Sequence, residues 1–275
     1  MNDHVANTTA IACHINARVR GIACPPIAQS EVVFKFDRAV EFWGAKRKQL
    51  SKWTELQLVS TDPDGWIDDQ VNRGVTRASI AYTPSANGTR KDRNTAGFVG
   101  GGGKFLLVLH RRNRTEFWHA MTKVEDKDDP DQKIWKTGFF VASSQSDPPP
   151  TNRSVALVSS DLRNALVAIH AFAVKQDIVE FARTFQESLD RLDSEDPLAG
   201  SYYRPAIPEG LLSLDALRLF GAAELPFVFG AMGSWNDLGF HRDTSLQEEY
   251  DTISDRLFGL SNEAVCAAVN DGVPS

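Results

Sequence analysis

Two groups of side chains in this chain combine residue types that hold ligands or partners. The first is Trp235-Asn236-Asp237, in a run over residues 226–240 that is dense in aromatics and glycine. An indole beside an amide and a carboxylate offers a flat apolar surface with hydrogen-bonding groups at its rim, the composition of an interface hot spot. Read as structure, Phe227 and Phe229 would form an inward-facing strand, with Trp235 and Phe240 pinning a glycine-shaped turn. The second group is Arg111, Arg112 and Arg114, in the basic run His110-Arg111-Arg112-Asn113-Arg114. With Arg90, Lys91 and Arg93 they would make a positive patch for an acidic group. Read as structure, they are a solvated turn between two strands.

Other candidate chemistry fails at the positions where it needs particular residues. Ser60-Thr61-Asp62-Pro63-Asp64-Gly65 resembles part of a calcium loop, but the first and twelfth positions hold Ser60 and Val71 instead of acids. Gly103-Lys104 invites comparison with a phosphate-binding loop. Phe98 stands where that motif needs glycine, Phe105 where it needs Ser or Thr, and Lys104 enters a strand. Cys13, His14 and Cys24 match no zinc-knuckle spacing and lack a fourth ligand. Gly233-Ser234-Trp235 is not a nucleophile elbow. Glu125-Asp126-Lys127 has the acid-x-Lys order of some nucleases without an upstream acid. Glu116, His119 and Glu125 converging on one sheet face or its edge is the strongest catalytic arrangement the sequence allows. No metal or cofactor site is expected.

The elements that must position these residues follow from period. Residues 104–142 read as three strands, KFLLVLHR, EFWHAMTKVE and KIWKTGFFVA. In the second, Trp118, Ala120, Thr122 and Val124 share a face; in the third, Trp135, Thr137, Phe139 and Val141 do. The acidic turn over 126–132 makes these two a hairpin, and the apolar run 105–109 predicts a strand covered on both sides. Residues 31–37 (EVVFKFD), 55–59 and 75–83 read as further strands. Ala39, Phe42, Trp43, Leu50 and Trp53 have the spacing of an amphipathic helix with Lys46, Arg47, Lys48 and Lys52 on its polar side. Pro63-Asp64-Gly65 reads as a turn, and 84–103, with six glycines, as a long irregular loop.

Beyond the proline run at 148–150 lies one more potential strand, 155–158, and then the period becomes helical. Leu162, Ala165, Leu166, Ile169 and Ala173 line one face; Ile178, Phe181, Ala182, Phe185, Leu189 and Leu192 line another, with a break near Lys175 and a capping box from Asp177 to Glu180. A short helix from Ser213 closes at Gly221. Another opens at Ser245 and breaks near Gly259 before a last helix.

The chain has 275 residues and a net charge of −6. Residues 1–150 carry 21 Lys and Arg against 17 Asp and Glu, and residues 151–275 carry 9 against 19, so the halves stand at +4 and −10. An acidic helical half opposes nucleic-acid binding and favours a basic protein partner or simple solubility. The composition also argues against a membrane span, a secretory signal and a disulfide framework, which suits a cytoplasmic protein.

The expected fold is α+β: an antiparallel or mixed sheet in the N-terminal half with the helices of the C-terminal half packed on it. Residues 1–30 are expected to be a poorly ordered extension, and 31–275 a single domain with a potential sub-boundary at 146–153. The expected function is a non-catalytic protein-binding module, of the inhibitor or immunity type, with Trp235, Asn236, Asp237, Arg111, Arg112 and Arg114 as binding residues. The competing readings are a hydrolase of phosphate or amide substrates with an arginine anion clamp, and a structural subunit with Trp235 at an oligomer contact.

Overall fold

Strand-forming alternation builds the sheet, and its register follows from it. A computed structural model describes residues 3–46, 55–86, 88–98, 101–142, 153–230, 233–240 and 242–272. Six strands, β1 (Asp37–Ala45), β2 (Leu56–Ser60), β3 (Val75–Thr83), β4 (Lys104–Arg111), β5 (Arg114–Val124) and β6 (Trp135–Val141), form one mixed sheet in the order β2-β1-β6-β5-β4-β3. The β1–β6 pair is parallel and the others are antiparallel. The β5–β6 hairpin brings the two expected faces together, with Trp118 opposite Val141, Ala120 opposite Phe139, Thr122 opposite Thr137 and Val124 opposite Trp135.

Seven helices complete the α+β fold among the described residues: α1 (Asp3–Arg20), α2 (Pro63–Asn72), α3 (Thr89–Thr95), α4 (Val155–Lys175), α5 (Val179–Arg191), α6 (Leu214–Glu224) and α7 (Thr244–Asp271). Helix α1 lies on β3, β4 and β5, α2 on β1, β2 and β3, and α7 on β3; α4, α5, α6 and α7 pack on one another. The inner sheet face carries an aromatic stack. Phe42 lies parallel to Trp66 of α2 at 4.1 Å between ring centroids and to Phe139 at 5.3 Å, while Trp118 meets Trp66 edge-on at 5.1 Å. Such offset and edge contacts add to the burial of the rings.

Several elements differ from expectation, each for a local reason. Residues 3–20 are not a loose extension but a helix buried almost all round, with Ala10, Ile11, Ala12, Cys13, Ile15 and Ala17 wholly inside. Small and polar residues (Thr8, Thr9, Asn16) share that interior, so no apolar stripe marks it. In β1 the buried residues Val40, Phe42 and Gly44 alternate with Glu41 and Trp43, so 39–45 is strand and not helix. Leu50 and Trp53 lie outside the described residues, as does the proline run at 148–150. Residues 31–36 turn, with Phe34 at φ +59°, and the strand begins only at Asp37.

Asp62-Pro63 opens α2 instead of a turn: the Asp62 side chain accepts from the Asp64 amide at 3.1 Å and proline occupies the first turn. The loop 84–103 contains α3. Residues 155–158 are the first turn of α4, capped by Ser154. Asp177, at φ +56°, ends the linker to α5 without forming a cap. Gly221 sits inside α6, where a Cβ would come within 2.3 Å of the Pro197 carbonyl. Helix α7, capped by Asp243, runs through Gly259 unbroken for 28 residues. Helix α4 is long and apolar enough to cross a membrane by length and composition, yet its Leu162, Leu166, Ile169 and Phe172 lie in the core.

The two edges of the sheet are built differently. At β3 the outward backbone groups are paired by side-chain amides. Ala78 N–H donates to Asn16 Oδ1 at 2.8 Å and its carbonyl accepts from Asn16 Nδ2 at 2.9 Å. Ile80 N–H donates to Asn270 Oδ1 at 2.8 Å and its carbonyl accepts from Asn270 Nδ2 at 2.7 Å. Each amide imitates a neighbouring strand, so this edge has no unpaired group at Ala78 or Ile80 to offer another chain.

Candidate functional site

The Trp235 triplet is held from within. The indole is wholly buried, its Nε1–H donating to Ser254 Oγ at 2.7 Å, with Phe181 and Phe185 edge-on at 5.2 and 5.1 Å. The Tyr250 hydroxyl donates to the Trp235 carbonyl, and burial pushes that phenol up to about 12 against the pull of Arg93. Asp237 accepts from the Gly233 and Ser234 amides at 2.6 and 3.0 Å. Asn236 Oδ1 accepts from Arg93 Nη1 at 2.6 Å, and its Nδ2 donates to the Arg93 carbonyl at 2.9 Å.

Arg93 is the centre of this group. It is 2% exposed, donates from Nε to Asp255 at 2.8 Å and from Nη2 to Asp251 at 3.1 Å, and lies over the Tyr250 ring at 5.6 Å. Arg90 bridges the same two carboxylates from outside, at 3.3 and 3.1 Å. The triplet therefore ties the segment around α3 to α7, and its indole is out of reach of a partner in this conformation.

The arginines of the β4–β5 turn part company. Arg111 donates to the carbonyls of Gln70 and Arg73 at 3.3 and 2.8 Å and to Gln70 Oε1 at 2.6 Å, closing the C-terminal end of α2. Arg112 and Arg114 face solvent, Arg114 paired with Glu116 at 2.9 Å. Arg111 Nε also approaches Glu116 Oε1, at 3.5 Å, so a carboxylate of the chain itself stands between Arg111 and Arg114. Glu116 and His119 lie on opposite faces of β5, since they are three positions apart along the strand. His14 and Cys24 do meet, with Cys24 Sγ 3.7 Å from His14 Nδ1. Cys13 is buried elsewhere, and no group of three metal-ligating side chains occurs among the described residues.

An apolar groove lies on the outer sheet face. One cross-strand row runs Leu58, Trp43, Phe140, His119, Leu106, Ala81 across all six strands. Trp43 and Phe140 lie parallel at 6.1 Å, and His119 tilts against Phe140 at 5.7 Å. Phe140 folds over Gly138, where a Cβ would come within 2.6 Å of its ring. Trp43, Leu56, Met121, Gly138 and Phe140, with Glu41 and Lys136, line a groove of about 520 Å³. Lys136 Nζ is 2.5 Å from Glu41 Oε1, and Trp43 Nε1 donates to Glu41 Oε2 at 3.0 Å. Burial raises the Glu41 pKa, but these two donors outweigh it and hold the carboxyl below its usual range.

The groove adjoins the second sheet edge. Lys46 N–H donates to the Glu55 carbonyl at 2.7 Å, so by the two-residue alternation of an antiparallel ladder Gln57 faces β1 while Leu56 and Leu58 direct their N–H groups away. Leu56, Leu58 and Val59 are 36%, 46% and 41% exposed. Among the described residues no strand or side-chain amide covers this edge.

No local pattern points to this surface, because reading Trp43 onto a helix separates it from Phe140. Its visible trace is that β1, β5 and β6 carry large apolar residues (Trp43, Met121, Phe140) on the face opposite their core residues. Among known proteins no family model, curated protein or solved structure matches the chain.

Proposed function

We propose that this chain is a non-catalytic protein-binding module that takes an extended segment of a partner polypeptide alongside β2, as a further strand. The observation that carries this reading is the contrast between the sheet's two edges: β3 is closed by Asn16 and Asn270, while β2 is apolar, is uncovered among the described residues and adjoins the Trp43–Phe140 groove. Strand addition draws affinity from main-chain hydrogen bonds and specificity from pockets for alternate side chains. Glu41 and Lys136 neutralise one another beside the groove, so the segment that fits carries apolar residues at alternate positions. The acidic second half, with Glu248 and Glu249 exposed at the start of α7, adds long-range attraction for a basic partner. Asp251 is excluded from that role, since it is engaged by Arg93 and Arg90.

Lysate of the native host passed over three immobilised forms tests this. Proline at 58 removes an outward N–H and leaves the ladder to β1 in place. A stoichiometric partner is expected on the wild type, weakened about tenfold or more by Leu58→Pro, a loss of about 1.4 kcal/mol. The Glu248→Lys/Glu249→Lys form is expected to capture it more slowly and retain it at high salt. A partner held equally by the Leu58→Pro form would overturn the reading.

A further inference from the structure

The N-terminal helix and the loop after it assemble a cysteine, a histidine and an arginine that the binding surface does not use. His14 and Arg18 are one turn apart on α1 and share a face. The helix ends at Gly21, at φ +68°, with Ile22 N–H donating to the Ala17 carbonyl at 2.9 Å, so the chain doubles back and lays Cys24 against that face. Asp64 at the start of α2 fixes the return by accepting from the Ile27 and Ala28 amides at 3.0 and 3.1 Å.

Cys24 Sγ then lies 3.0 Å from Arg18 Nη1 and 3.7 Å from His14 Nδ1. Arg18 is itself held by Asp68 at 3.1 Å and Asp64 at 3.6 Å. His14 is 3% exposed, and its Nδ1 is aimed at the sulfur. Cys24 is half-buried and reachable, whereas Cys13 and Cys266 are inside the core.

We propose that Cys24 is a nucleophilic thiol that exchanges with small disulfides, with Arg18 and His14 holding its sulfur in place for attack. The attacking species in such exchange is the sulfur anion, and Arg18 Nη1 donates directly to that sulfur. Burial lowers the His14 pKa to about 4, Asp64 pulling it up and Arg18 down again; the ring is neutral near pH 7, and in its Nδ1–H tautomer it donates to the sulfur. In the reaction with oxidised glutathione, the Cys24 proton passes to water and Sγ attacks one glutathione sulfur. A new S–S bond forms as the glutathione S–S bond breaks. The departing thiolate takes a proton from water, so Cys24 is oxidised to a mixed disulfide and one glutathione is reduced. Excess reduced thiol reverses the step.

Burial pushes the Cys13 and Cys266 thiols up to about 12, which makes them internal controls. The test is intact mass and peptide mapping of the full chain after timed exposure to oxidised glutathione, folded and in urea. The expected result is a single adduct at Cys24, formed roughly tenfold faster in the folded chain than in the unfolded one. Arg18→Gln and His14→Asn, each checked for a native far-ultraviolet circular dichroism spectrum, are expected to slow it several-fold. Equal Cys24 rates in folded and unfolded chains, or first modification of Cys13 or Cys266 in the folded chain, would overturn the proposal without recourse to either variant.

Discussion

Trp235→Ala is expected to cost about 4 kcal/mol of stability, the largest effect of any single truncation considered for this chain. The indole is wholly buried among Phe172, Phe181, Phe185 and Tyr250, and its N–H is satisfied by Ser254. Truncation leaves a cavity bounded by four rings on three helices, α4, α5 and α7, and these cannot close on it together without losing their own contacts. It also leaves Ser254 Oγ without the indole as a donor. Chemical denaturation followed by far-ultraviolet circular dichroism measures the loss as a shift in midpoint at unchanged slope. A Trp235→Ala protein as stable as wild type, but altered in solution mass, would return this residue to the oligomer contact its sequence context suggests.

Removing the charge at the same junction has the next largest effect. Arg93→Met is expected to destabilise by about 3 kcal/mol, at the lower end for breaking a buried ion pair. The lower end applies because Asp251 and Asp255 are 17% and 23% exposed and Arg90 remains beside both. The loss comes from carboxylates that lose their close donor, more than from the attraction itself. Arg93→Met combined with Asp251→Asn and Asp255→Asn should therefore recover a good part of the stability, again read from denaturation midpoints. Losses that simply add across the three positions would contradict a charge-based role and leave Arg93 as packing alone.

These two results concern residues whose composition drew attention for a different reason. Aromatic, amide and carboxylate groups close together in sequence suit an exposed hot spot, and they equally suit a buried junction. What separates the two is Arg93, which lies 143 residues from Asn236 along the chain. The pattern of β3 to β6 was legible because strand alternation is local: 75–83 and the faces of Trp118 and Trp135 could be read from neighbours alone. Helix α1 was not, because a helix buried all round has no polar face to reveal its period. In β1, the adjacent Phe42 and Trp43 fall on opposite faces of the sheet yet fit a helical stripe. The closing of β3 by Asn16 and Asn270 leaves no local sign, since each amide reaches backbone 62 and 190 residues away.

Residue-resolved hydrogen exchange on the free protein tests the contrast between the two edges, on which the binding surface depends, without need of a partner. The amides of Ala78 and Ile80, held by Asn16 and Asn270, are expected to exchange only through global unfolding, while those of Leu56 and Leu58 exchange far faster. Leu56 and Leu58 amides as protected as that of Ile80 would mean that β2 is already covered, and would contradict an open edge for a partner strand.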